Sequence, residues 1–93
     1  MAPLPDVHPW PGLPGGVQVY EVGPRDGLQA EGQVVDLDTK LTFVARLAEA
    51  GLRAIEVTSF VSPRWVPQLA DADELLRRLH RRPGVRYPVL VPN

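Results

Sequence analysis

Three short apolar runs, "VQVYEV" at 17–22, "RAIEVT" at 53–58 and "YPVLV" at 87–91, follow one another at intervals of about three dozen residues. An interval of that length holds a crossover helix, so the runs are expected to be parallel strands of one sheet. Between the first two, Leu37, Leu41, Val44 and Ala48 recur at helical spacing with Leu47 beside them, which predicts a helix over 37–50. Asp36 or Asp38 can cap its start, and Gly51 stands where a helix closes in the left-handed conformation. Between the second and third runs, "DADELLRRLH" at 71–80 predicts another helix. Asp71 and Glu74 stand in a capping-box pattern, Leu75, Leu76 and Leu79 form the inner face, and Pro83-Gly84 provides a stop. Residues 59–70, with two prolines and no period, read as a long loop.

The order is therefore β-α-β-α-β, an α/β chain. Three parallel strands leave two open edges and make a poor independent domain. The pattern suits the N-terminal portion of a (β/α)₈ TIM barrel, for which about 250 residues is typical; a doubly wound sheet is the rival arrangement. Residues 17–93 are taken as the first strands and helices of such a domain, still incomplete. Residues 1–16, rich in Pro and Gly, are taken as a disordered or extended lead-in.

Composition narrows the classes of function. A net charge of −1 gives no electrostatic reason to expect nucleic acid or an anionic membrane as partner. There is no cysteine, so no disulfide or thiolate metal site can form within the chain. No apolar run approaches the length of a membrane span. The lead-in carries no Lys or Arg and no apolar core of a secretory signal, which makes the cytoplasm the expected compartment.

In parallel α/β sheets ligands bind beyond the carboxyl ends of the strands. The first run ends in "GPRDG", with Arg25 and Asp26 side by side. The second carries Glu56, followed by Thr58 and Ser59, and the third leads into Asn93. Pro-x-Asp-Gly is ordinary turn chemistry, and an Arg–Asp pair in a turn is usually solvated surface. Glu56 is harder to dismiss. It sits inside a strand that should be apolar on both faces, and a buried carboxylate requires a partner. Arg25, at the end of the neighbouring strand, is the natural one.

The stretches "VGPRDGLQAE", "AGLRAIEVTSFVSPRWVPQLADADE" and "YPVLVPN" resemble the N-terminal part of the 3-hydroxy-3-methylglutaryl-CoA lyase family. These are metal-dependent lyases whose (β/α)₈ barrels share an Asp-Arg-Glu signature. The resemblance implies cleavage of 3-hydroxy-3-methylglutaryl-CoA to acetyl-CoA and acetoacetate, with Mg²⁺ or Mn²⁺ as cofactor and an acyl-CoA as partner. It implies Asp26 as a metal ligand, Arg25 as the catalytic guanidinium that also contacts the substrate, and Glu56 as the catalytic residue completing the signature. Gln29, Ser59 and Asn93 join Arg25 as candidate substrate-binding residues. The family's remaining metal ligands, a His-x-His pair and an Asn, come from later strands, as does its loop with a catalytic Cys. Neither His8 nor His80 matches the pair. Leucine breakdown and ketone-body formation are the metabolic settings the resemblance implies.

Two alternatives stand beside this reading. One is a related acyl-CoA lyase or Claisen-type synthase of the same superfamily; the other is a truncated, non-catalytic fragment. The sequence leaves the oligomeric state open, a homo-oligomer of the full-length protein included. The basic cluster "RRLHRRPG" is read as charge complementing a helix C-terminus, with binding of coenzyme A phosphates as the lesser reading.

Overall fold

The backbone of residues 53–60 bonds to both sides, and this places it at the centre of the sheet. In the computed structural model, which describes Gly12 and residues 15–92, the Glu56 amide donates to the Glu21 carbonyl at 2.8 Å on one flank. On the other flank the Ile55, Val57 and Phe60 amides donate to the carbonyls of Arg86 (3.0 Å), Pro88 (3.1 Å) and Leu90 (3.0 Å). The regular strands are short: β1 (Tyr20–Glu21), β2 (Ala54–Ile55), β3 (Thr58–Ser59) and β4 (Val89–Leu90). β1 pairs with β2 in parallel, Tyr20 beside Ala54 and Glu21 beside Ile55. β3 pairs with β4 in parallel, Thr58 beside Val89 and Ser59 beside Leu90. The strands are parallel, as the crossover spacing requires.

The central run is split for a local reason. From the Val57–Pro88 bond to the Phe60–Leu90 bond, three residues of the central run oppose two of its neighbour. That extra residue is a bulge, which bends a strand and re-aims the side chains beyond it. The first strand is shorter than the 17–22 expected, because Val17 and Val19, 87% and 60% exposed, find nothing to pack on. The third is likewise confined to Val89–Leu90, with an isolated bridge from Arg86 to Ala54 preceding it. Each outer strand leaves one edge without a partner among the described residues.

Two helices cover one face. α1 (Leu37–Glu49) starts at Asp36, whose carboxylate accepts the Thr39 amide at 2.8 Å, and it closes at Gly51 with φ +103°. α2 (Ala72–Arg78) is shorter than expected, since Leu79 already has extended backbone angles. Val44 and Ala48 of α1, Leu75 of α2 and Ile55 and Val57 of the sheet form the core, with Leu37, Leu41, Leu47, Leu76 and Leu79 packed around it. Ile55 is fully buried, which contributes about 1.5–3 kcal/mol.

The expected capping box at α2 does not form. Asp71 makes no side-chain cap bond; its carboxylate instead accepts from Lys40 Nζ at 2.8 Å. Lys40 is 1% exposed and also donates to the Gln68 carbonyl at 2.5 Å. Gln68 in turn donates its side-chain amide to the Glu31 carbonyl at 2.8 Å. The segment 59–70 is thus less open than a loop: Pro67–Leu69 forms a 3₁₀ turn, Leu69 is buried, and the ammonium ties the turn to α1.

A buried ammonium deprived of its carboxylate is costly, so Asp71→Ala is expected to destabilise the folded protein by about 3 kcal/mol. Lys40→Met should cost less, because it removes the buried charge itself and the Asp71 side chain, 26% exposed, can rehydrate. Urea unfolding of the two variants checks the ranking.

Candidate active site

β1 delivers its residues to the site through an unusual turn. The amides of Arg25 (3.1 Å), Asp26 (2.7 Å) and Gly27 (3.4 Å) all converge on the carbonyl of Val22. They form a wide helical turn over Gly23–Gly27 where an irregular loop was expected. Pro24 fits the first turn of a helix, where an amide is not needed, and its ring is buried. The Gly23 amide donates to Glu21 Oε1 at 2.9 Å. A Cβ at Gly23 would come within 2.8 Å of that oxygen, the movable end of the Glu21 side chain, and 3.2 Å of the Phe43 ring, so a larger residue there would displace both side chains.

The turn brings Arg25 onto the central strand. Its Nε donates to Glu56 Oε1, and its Nη1 donates to Asp26 Oδ1 at 3.2 Å. The Tyr20 hydroxyl donates to Glu56 Oε2 at 2.7 Å. Glu56 is 7% exposed, so burial demands partners for its carboxylate, and both oxygens have one. The guanidinium is mostly covered, its side chain 18% exposed, whereas the Asp26 carboxylate is open to solvent. Burial therefore falls from Glu56 through Arg25 to Asp26, from the strand outward.

The other candidates divide. Gln29 is exposed and does not bond to the pair among the described residues. Ser59 is buried, and its hydroxyl donates to the Leu90 carbonyl at 2.8 Å, joining two strands rather than reaching the Arg25–Glu56 pair. Asn93 lies outside the described residues. The basic cluster lies at the opposite end of the sheet from Arg25, because α2 ends where the third strand begins. Among the described residues no three His, Cys, Asp or Glu side chains group closely enough to hold a metal ion, Asp26 included.

Sequence reasoning missed Tyr20. Parallel register sets it beside Ala54, and the period of two then puts it on the face that carries Glu56. That signal was present once the pairing was known. The Thr58 hydroxyl oxygen, on the same central run, is buried and has no hydrogen-bond partner among the described residues.

The structure thus has a parallel sheet with a guanidinium anchored to a carboxylate at its carboxyl end. The chain matches the HMGL-like family over residues 16–87 and belongs to it. It is 60% identical over 82 residues to human cytoplasmic 3-hydroxy-3-methylglutaryl-CoA lyase, covering 88% of this chain and 22% of that protein. The human mitochondrial hydroxymethylglutaryl-CoA lyase is 53% identical over 81 residues, covering 87% and 25%. Among solved structures, hydroxymethylglutaryl-CoA lyase from Pseudomonas aeruginosa superposes with a TM-score of 0.81 at 52% identity, over 87% of this chain and 27% of that one. An HMG-CoA lyase from Acinetobacter baumannii, solved with coenzyme A and 3-methylmalate, gives 0.79 at 41% identity, over 82% and 25%. The chain thus spans about a quarter of the length of the relatives it matches. No helix among the described residues is long and apolar enough to cross a membrane.

The bond to Glu56 holds the Tyr20 phenol above its ordinary value of 10.0, with burial and the Glu56 charge adding to the shift and the Arg25 and Arg86 charges opposing it. A raised value in the folded state means that the bond is intact below pH 10.0 and is lost as pH rises through the raised value. Titration of the Tyr20 ring carbons by NMR is expected to show ionisation above pH 10.0, and Glu56→Gln should lower it towards that value.

Proposed function

We propose that this chain supplies the first three strands of a (β/α)₈ barrel, residues 17–93 after a lead-in of 1–16, in a divalent-metal-dependent carbon–carbon lyase. The full-length protein cleaves 3-hydroxy-3-methylglutaryl-CoA to acetyl-CoA and acetoacetate. The observation that carries this reading is Arg25, half-buried and bonded to the buried Glu56 at the carboxyl end of the sheet, in a chain 53–60% identical to proteins named for that activity. The coenzyme A in the Acinetobacter baumannii structure supports an acyl-CoA as the bound partner. The cytoplasm remains the proposed compartment; cytoplasmic relatives match at 58–60% identity, and mitochondrial ones at 53–54%.

The chemistry explains the residue types. The C2–C3 bond of the substrate breaks, and its electron pair passes to the carbon that becomes the methyl of acetyl-CoA, giving a thioester enolate. The tertiary hydroxyl loses its proton and becomes the keto group of acetoacetate, and the enolate then takes up a proton. Arg25 stays charged at any working pH and stabilises the enolate oxygen as negative charge develops there. Glu56 holds the guanidinium in place and offsets its charge.

Asp26 fits a hard divalent cation such as Mg²⁺ or Mn²⁺. Its carboxylate is solvent-open, and only Oδ1 is engaged, by Arg25. When bound, such a cation acidifies the substrate hydroxyl and orients its oxygens. The other ligands of a complete site belong to parts of the barrel beyond these three strands. On this reading the 93-residue chain alone has no lyase turnover.

In the full-length protein, Arg25→Met is expected to depress kcat far more than it raises KM, by on the order of a hundred- to a thousandfold. Arg25→Lys should restore only part of the loss, since an ammonium keeps the charge without the planar fork. Near-wild-type turnover in a folded Arg25→Met protein would return the turn to ordinary surface chemistry. Asp26→Asn should weaken Mg²⁺ or Mn²⁺ binding in calorimetric titration, and an unchanged isotherm would remove Asp26 from the ligand set.

A further inference from the structure

Glu56 is gripped from two sides, and the second grip has a consequence for the first. Its Oε1 receives Arg25 Nε, and its Oε2 receives the Tyr20 hydroxyl at 2.7 Å. The last torsion of a glutamate is broad, so one hydrogen bond does not fix the plane of the carboxylate. Donors on both oxygens do. That plane determines where the Nε–H of Arg25 points, and the planar guanidinium carries its other nitrogens along with it. Nη1 is then on Asp26, and Nη2 has no hydrogen-bond partner among the described residues.

Tyr20 is well placed to act as a fixed support. It lies on β1, two residues before the Val22 carbonyl that anchors the Arg25 turn, and its backbone is paired in register with Ala54 of the central run. The phenol and the turn therefore rise from the same strand, and Glu56 bridges them from the next. Tyr20 as a residue is 48% exposed and lies outside the core cluster.

We infer that Tyr20 is a positioning residue: by fixing the carboxylate plane of Glu56 it aims the free edge of the Arg25 guanidinium at the reacting oxygen. This inference rests on the lyase reading for its effect on turnover, but the clamp itself is a property of the three side chains. Positioning matters at this scale, because a misplacement of about 1 Å at a reacting group can cost about a hundredfold in rate.

The test is Tyr20→Phe in the full-length protein, which removes the hydroxyl and keeps the ring. A hydrogen bond to a charged group is worth about tenfold or more in an equilibrium constant. We expect kcat to fall by about that factor, with KM close to wild-type and the thermal midpoint little changed. Hydrogen exchange of the Arg25 Nε–H, assigned by its loss in Arg25→Lys, should accelerate to a similar degree. A merely structural phenol would lower the midpoint and move neither readout. An unchanged exchange rate overturns the inference, as does an unchanged kcat in an active enzyme. Absence of turnover in the wild-type full-length protein would defeat the lyase reading instead, and the exchange rate alone would then decide the clamp.

Discussion

A carboxylate in the middle of a parallel strand is the constraint around which the rest of this structure is arranged. Glu56 is 7% exposed in a run whose other members, Ala54, Ile55, Val57, Thr58 and Ser59, are buried as well. Leaving a carboxylate there without partners would cost several kcal/mol. Arg25 and Tyr20 supply them from the neighbouring strand. The wide turn after β1, the close approach at Gly23 and the buried Pro24 are then understandable as what it takes to fold Arg25 back onto that strand. A buried ion pair is weak evidence for stability on its own account. Its position at the carboxyl end of a parallel sheet makes it evidence for function.

The frame that holds this pair is built separately. The sheet and helices share one apolar core on the face covered by α1 and α2. Lys40, far from the Arg25–Glu56 bond in the chain, ties α1 to the turn at Pro67–Leu69, and Gln68 ties that turn to Glu31. The segment that follows Arg25 and the segment that follows the central strand are thus joined to each other as well as to the core.

Much of this was legible in the sequence, and the failures have physical causes. Apolar periodicity located α1 to within a residue, and spacing alone required parallel strands. The pairing of Arg25 with Glu56 followed from the cost of burying a charge. The capping box at Asp71 failed because sequence gives no sign that a lysine thirty-one residues earlier will take that carboxylate. The bond from the Ser59 hydroxyl to β4 was likewise not legible, because it depends on the bulge beyond Val57. Tyr20 was invisible until the register was known, since its contact with Glu56 spans 36 positions. Local rules saw the elements; the polar contacts across strands depended on register.

The central claim is that Arg25 and Glu56 act as one unit, the carboxylate working through the guanidinium. A double-mutant cycle on kcat in the full-length protein tests it most directly, using Arg25→Met, Glu56→Gln and both together, with folding monitored by circular dichroism. The account predicts that Glu56→Gln loses much of the rate that Arg25→Met loses, and that the double variant is no slower than Arg25→Met alone. Losses that multiply in the double variant would show two independent residues and contradict it.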